Sequence, residues 1–441
     1  MPTYTVHQAK TNLSKLIAEA EAGADVIIAR DDKPAVRLMP VEKKPIKRKF
    51  GAYKGEFGVP DSFFDAMPAD EVRMVAANIP PAHHLQAVTR LYHAYFTGLM
   101  LTLVTRRSTA DAAEWVYRLF RHQHHEKFLS SFAKLGLEGL PDAVACAAYH
   151  YLSNSVGGVS VEFMRESDRK AWVRFVPPRW AYPGAAICGI PSEVSRAMLR
   201  GWYSQNGVSL GNPRLGFVCT AQTTDGQHGL AGYFLEHDHA LAPEARLRFA
   251  PGELPPPFIA ADAPKLPDGN WPAERLAKAE RNYAMEYIRS GLPRLAEVFG
   301  PAEAGHLGRV TGRLIGAQLY HETAAMLGTA GAGEGPEAFA AWMVALAEAE
   351  GDEAAFELDG NAVLVRRKGW RLARGLGPLS PSIFEAWNGL FEGALAVHDR
   401  FLILEAIQRI DWGDAEIVWR VRGQAARPLP QSQVGLSRND R

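Results

Sequence analysis

Two stretches of this chain, residues 85–250 and 275–422, carry the same signals in the same order at an offset of about 190 residues. In the first, a helical run through Arg118-Leu119-Phe120 and Gln123 to Gly136 precedes the strand Val161-Glu162-Phe163. Pro191-Ser192 then opens a helix, and Phe217 to Glu236 reads as a hairpin around Asp225-Gly226. In the second, Arg313-Leu314-Ile315 and Gln318 to Gly328 precede Phe356-Glu357-Leu358. Pro381-Ser382 opens a helix, and Phe401 to Arg422 reads as a hairpin around Trp412-Gly413. Helix, strands, helix, hairpin, twice over, predicts an α+β fold of two diverged units with antiparallel sheets. The Pro-rich stretch 251–274 reads as their linker and residues 423–441 as a disordered tail.

Composition narrows the class. At 441 residues two to four domains are expected, and 47% apolar with 22% charged residues excludes general disorder. Lys and Arg balance Asp and Glu at 49 each, so the whole chain is not tuned to a polyanion. Locally the balance is uneven: residues 1–55 hold 11 Lys/Arg against 6 Asp/Glu, and residues 56–73 hold 5 acids against one Arg. A basic head before an acidic, aromatic stretch suggests two different partners. Cys146, Cys188 and Cys219 make no disulfide framework, and a cytoplasmic location is expected. No signal peptide pattern opens the sequence. The most apolar run, Ala94 to Val104, is too short to span a bilayer and reads as a buried helix.

In the head, Thr3 to Val6 alternates as a short strand. Thr5-Val6-His7-Gln8 reads as a capping box, in which the Thr5 hydroxyl and the Gln8 side chain satisfy each other's backbone amides. Ala9, Leu13, Leu16, Ile17 and Ala20 recur at helical spacing as one apolar face, and Gly23 ends the helix. Val26 to Ala29 and Ala35 to Val41 read as strands around an Asp31-Asp32-Lys33-Pro34 turn. Such a β-α-β-β unit of about forty residues buries too little core alone, so a homodimer is expected.

The segment YTVHQAKTNLSKLIAEAEAGADVIIARDDKPAVRLMPV resembles the N-terminal half of Phd/YefM antitoxins of type II toxin–antitoxin systems. RKFGAYKGEFGVPDSFFDAMPADE resembles the toxin-binding tail of members that pair with PIN-domain (VapC-like) ribonucleases. The resemblance covers residues 1–73, with 1–45 as dimerisation and DNA-binding domain and 46–73 as toxin-binding tail. It implies that a dimer binds operator DNA and represses transcription. Lys10, Asn12 and Lys15 on the helix, with Arg30, Lys33 and Arg37 on the hairpin, would meet phosphates and set register. Taken singly, each also reads as an ordinary solvated side chain. In the tail, Phe50, Tyr53, Phe57, Phe63 and Phe64 would fill the toxin groove. Arg48 or Lys54 would enter the acidic, metal-binding cluster that the resemblance implies in the toxin.

Residues 74–84 read as a junction, as in a fusion of two genes. The region beyond, 85–422, resembles the vinyl-reductase-like and thiazoline-carboxylate hydrolase-like domains in helix–strand order and in GHLGRVTGRLIGAQLYHETAAMLG. The cysteine cluster of the former is absent from the second unit, and no catalytic residue is carried over. A small-molecule sensor, or a hydrolase- or reductase-like enzyme with the head as passenger, is the alternative function; no cofactor is indicated. His122, His125 and Glu126 share a helical face and could hold a metal if His150 or Glu162 joined them, although a polar face with incidental histidines is the better account of them. Glu236-His237-Asp238-His239 has metal-compatible side chains in a loop. Cys188 sits in a possible tight turn. Gly308, Gly312 and Gly316 form one helical stripe suited to close packing. Trp172, Trp180, Tyr182, Trp202 and Tyr203 read as core or as pocket walls.

Overall fold

The computed structural model describes residues 3–22, 24–30, 33–39, 81–179, 181–267 and 271–424, which fall into two compact units divided between residues 39 and 81. The end of the first helix at Gly23, the tail candidates of 46–73 and Trp180 lie outside the described residues.

The head runs β1 (Thr3–Thr5), α1 (Val6–Thr11), α2 (Leu13–Glu21), β2 (Val26–Arg30) and β3 (Lys33–Leu38). β2 is the middle strand, parallel to β1 and antiparallel to β3. The capping box forms: the Gln8 amide donates to Thr5 Oγ1 at 3.3 Å and the Thr5 amide to Gln8 Oε1 at 2.9 Å. Two expectations are corrected. The helix is broken at Asn12, whose Nδ2 donates back to the Gln8 carbonyl at 3.1 Å in competition with the helical ladder. The expected apolar face is thereby split: Ala9, Leu16 and Ala20 are buried with Val26, but Leu13 and Ile17 are 47% and 44% exposed. The second strand starts at Lys33 rather than Ala35, since Lys33 already pairs with Arg30. Pro34 lies on an edge strand where the ladder slips between Ile28 and Ala29, a position that tolerates a missing N–H.

The larger unit repeats one order of elements. The first half has α3 (Pro81–Arg106), α4 (Thr109–Lys127), α5 (Asp142–Val156), β4 (Val161–Ser167), β5 (Lys170–Phe175), α6 (Ser192–Gly201), β6 (Leu215–Ala221) and β7 (Leu230–Glu236). The second has α7 (Ala273–Phe299), α8 (Pro301–Met326), α9 (Pro336–Glu350), β9 (Glu353–Asp359), β10 (Ala362–Lys368), α10 (Pro381–His398), β11 (Leu402–Gln408) and β12 (Ile417–Gly423). The sheets have the same strand order, β4-β5-β7-β6 and β9-β10-β12-β11, and β8 (Leu247–Phe249) adds a parallel edge to the first. The fold class is α+β, as the duplicated pattern implies. Gly226 and Gly413 close the two hairpins at positive φ, as expected for their turns.

The first helical run stops at Lys127 instead of continuing to Gly136. There the fully buried Phe128 turns inward onto His124 and Tyr149, and two short helical turns follow before Gly136 at φ +69°. Residues 251–267 are more than a tether: Glu253 accepts from the Tyr233 hydroxyl at 3.0 Å and pairs with Lys170, and Ala263 is buried.

Helix contacts between the halves are reciprocal. α3 packs on α7; α3 also meets α8 and α9, and α7 meets α4 and α5. That is the contact pattern of a two-fold related pair. One apolar core runs through both halves, including Tyr92, Phe96, Trp115, Ile288, Trp342 and Trp387. The glycine stripe does serve packing. A Cβ on Gly316 would lie 2.0 Å from the Leu390 carbonyl oxygen, and one on Gly393 2.0 Å from that of Arg313, so α8 and α10 touch backbone to backbone. The Tyr95 hydroxyl bridges them, donating between the Gly308 and Ala386 carbonyls at 3.0 and 2.6 Å. No described helix is long and apolar enough to cross a membrane.

Candidate functional site

The head brings its six polar candidates to the surface. Lys10, Asn12, Lys15, Arg30, Lys33 and Arg37 are all exposed. Two have carboxylate neighbours: Arg37 pairs with Asp25 at 2.9 Å and Lys15 with Glu19 at 3.8 Å. Lys10, Arg30 and Lys33 make no ion pair among the described residues. Exposed pairs of this kind are worth at most about 1 kcal/mol and exchange readily for phosphate. Val6, Leu13, Ile17 and Val36, 44–57% exposed, add an apolar surface to so small a unit.

In the larger unit the metal candidates do not assemble. His122 Nε2 lies 3.4 Å from Glu126 Oε1, but His125 is exposed, and Glu162 is taken by Arg174 at 2.9 Å. His150 is elsewhere, stacked on Tyr203 with ring centroids 4.0 Å apart. Among the described residues no group of three or more His, Cys, Asp or Glu could hold a metal ion. Asp238 of the later loop pairs with Arg169 at 2.7 Å. Cys146 and Cys219 are buried, and burial pushes the Cys219 thiol up to about 12. Cys188 is exposed in the short helical turn 184–189.

What the larger unit does contain is a cavity of about 430 Å3, walled by α3, α4, α5 and α6 of the first half and by α7 of the second. Such a volume lies within the roughly 300–1,000 Å3 of small-molecule pockets. Phe96, Phe120, Tyr149, Trp202, Tyr203 and Tyr287 face it. Of the five aromatics singled out in sequence, Tyr182, Trp202 and Tyr203 line it. Trp172 packs on the opposite sheet face with Met164, Val218 and Tyr233.

The polar groups of the wall are held firmly. His150 is buried between the rings of Tyr203 and Phe234, and its Nε2 lies 3.2 Å from Asn206 Nδ2. Burial holds its imidazole well below its ordinary titration range, so it is neutral, accepting at Nε2 and by inference protonated at Nδ1. Asn154 donates to the His150 carbonyl at 2.7 Å and accepts from the Tyr283 hydroxyl at 2.8 Å. Burial raises the Tyr283 phenol to about 12 and those of Tyr203 and Tyr287 well above their ordinary value, while the nearby Arg179 pulls all three the other way.

Arg179 is the outlier. It follows β5, is 5% exposed, and its guanidinium sits 4.8 Å from the Phe175 ring and 5.7 Å from that of Tyr182. Among the described residues it makes no ion pair, and its Nε has no hydrogen-bond partner. Nothing in the sequence marked it. The signal would have been a cation among aromatics, Pro178-Arg179-Trp180-Ala181-Tyr182, within a predicted α+β unit.

Comparison with known proteins bears on the head alone. The family model described as Antitoxin Phd_YefM, type II toxin-antitoxin system, matches residues 1–44. No curated protein and no solved structure matches the chain.

Proposed function

We propose that residues 1–73 form an antitoxin that binds operator DNA as a homodimer and neutralises a PIN-domain ribonuclease through residues 46–73. The observation that carries this reading is the family match over residues 1–44, whose exposed Lys10, Arg30 and Lys33 are free of ion pairs among the described residues. The exposed apolar side chains Val6, Leu13 and Ile17 support the dimer, because a second copy would bury them. The basic-then-acidic order of residues 43–73 and its aromatics support the ribonuclease partner.

Operator binding is tested by titrating the intact chain against its own promoter at several salt concentrations. A steep fall of affinity with salt is expected, and each of K10A and K33A lowers the slope by about 1 if it touches a phosphate. A flat salt dependence removes the DNA-binding role. For the tail, co-expression with a PIN-domain ribonuclease relieves its toxicity, and deleting residues 48–72 abolishes the relief. Rescue that persists without those residues removes the toxin-binding assignment.

A second reading has its own observation. The aromatic cavity supports a small-molecule site in residues 85–422, that of a sensor or of an enzyme.

A further inference from the structure

The cavity also indicates what it binds. Three buried polar atoms on its wall lack a hydrogen-bond partner among the described residues: Arg179 Nε, Trp202 Nε1 and Trp271 Nε1. All three are N–H donors, so the wall is short of acceptors. Arg179 also carries a permanent charge without a carboxylate, and such a charge is costly to bury unless an anion meets it. Among the described residues the one acid on the wall does not serve. Glu286 Oε1 is held by Arg289 at 3.2 Å and Ser290 at 2.7 Å, and its Oε2 lies 3.7 Å from Lys127.

The approach has the same sign. Lys127, Asn282 and Glu286 line both the cavity and an adjoining cleft, which adds Arg289, Arg371 and Arg374. A cleft rich in cations beside low-dielectric walls raises the local concentration of anions. Much of the remaining wall is flat rings, which stack on other flat rings.

We propose that this cavity binds a single flat aromatic acid, with its rings among Phe96, Phe120, Trp202 and Tyr287 and its oxyanion on Arg179. A planar guanidinium takes a carboxylate in two parallel hydrogen bonds, and the two buried indole N–H groups without a partner among the described residues add further donors to the wall. The proposal rests on the reading of the cavity as a ligand site and adds the class of ligand.

The test uses the full chain and two fluorescent dyes, anilinonaphthalene sulfonate and its uncharged parent phenylnaphthylamine. Both are expected to bind, and Ala279→Trp, which fills the cavity from α7, abolishes both. Arg179→Gln weakens the sulfonate roughly tenfold to a hundredfold, the worth of a charged hydrogen bond, while the neutral dye changes by no more than about twofold. Arg179→Lys, which keeps the charge but not the planar fork, falls between the unaltered chain and Arg179→Gln in sulfonate affinity. Naphthoate displaces the sulfonate from the unaltered chain at least about tenfold better than naphthalene methanol does; this arm needs no variant and survives misfolding of any of them. If both dyes bind in the cavity but Arg179→Gln affects them equally, or naphthalene methanol competes as well as naphthoate, the acid is wrong and the cavity stands. If Ala279→Trp, still folded, leaves both dyes bound, the cavity reading itself fails.

Discussion

The two halves of the larger unit share a topology but treat a buried arginine in opposite ways. In the first half Phe175 ends β5 opposite Leu230, at the start of β7. In the second the matching ladder position, opposite Ile417 at the start of β12, holds Arg367. Arg367 is 1% exposed, yet its Nε and one terminal nitrogen reach Asp352 at 3.0 and 2.5 Å, and that nitrogen also reaches Glu350 at 2.5 Å. Tyr92 donates to the same Glu350 at 2.9 Å, and the guanidinium lies 5.0 Å from the Trp387 ring. Burial pushes the Glu350 carboxyl above its ordinary range, with Arg367 and Tyr92 opposing. The second half thus encloses its cation with acids and rings. The first half leaves Arg179 facing space. A neutralised cation acts as a strut, and an unneutralised one beside a cavity acts as a socket.

The sharpest way to break this comparison is to remove each cation. Arg367→Met leaves the buried Glu350 without a cation and Asp352 with Arg374 alone at 3.4 Å, and should cost about 3–5 kcal/mol, read as a large fall in Tm. Arg179→Met should leave Tm unchanged or raise it, since no described partner is orphaned. Equal losses would show that both arginines are struts.

Acid should act on the first half next. Burial, assisted by neighbouring arginines, holds His93 and His124 near pH 4 instead of 6.5. Folded-state values below the unfolded one mean stability that is complete above pH 6.5 and lost as pH falls toward 4. Each histidine contributes on the order of 2–3 kcal/mol across that window. Glu350 contributes with the opposite sign, so His124→Gln is the informative arm: denaturant unfolding should show a shallower loss between pH 6.5 and 4. An unchanged slope would remove His124 from the account.

Packing offers a finer contrast. A Cβ at Gly393 meets the Arg313 carbonyl oxygen at 2.0 Å, whereas one at Gly201, between α4 and α6 of the first half, meets that of Tyr117 at 2.7 Å. Gly393→Ala should therefore cost more than Gly201→Ala, within the roughly 1–3 kcal/mol of overpacking. Calorimetry of both variants tests the order. The smallest effect belongs to the exposed Arg90–Glu322 pair between the halves, 2.9 Å apart. A double-mutant cycle should return less than about 1 kcal/mol of coupling.

The repeat was legible because hairpin turns and helix starts are local events. Asp225-Gly226, Trp412-Gly413, Pro191-Ser192 and Pro381-Ser382 each punctuate the chain within a few residues. The capping box at Thr5 and Gln8 is local in the same way. The break at Asn12 was not legible, because its side-chain bond to the Gln8 carbonyl competes with a helix that periodicity alone favours. The cavity was only half legible. Tyr182, Trp202 and Tyr203 stood out as aromatics, but Tyr283, Tyr287 and Trp271 come from far along the chain and meet them only through packing of α7 on α3 and α4. Arg179 was invisible because what distinguishes it, the absence of an acid near it, is a fact of space.

The reciprocal packing of the halves has one more consequence. A dimer of identical subunits must carry every substitution twice, so an arginine placed at the end of β5 to brace one subunit would brace the other as well. With both halves on one chain that constraint is gone. Position 367 can carry a brace while its counterpart, Phe175, still forms part of a cavity wall. Joining the repeats in one polypeptide thus allows one half to specialise in rigidity and the other in reception, without either mutating against its twin.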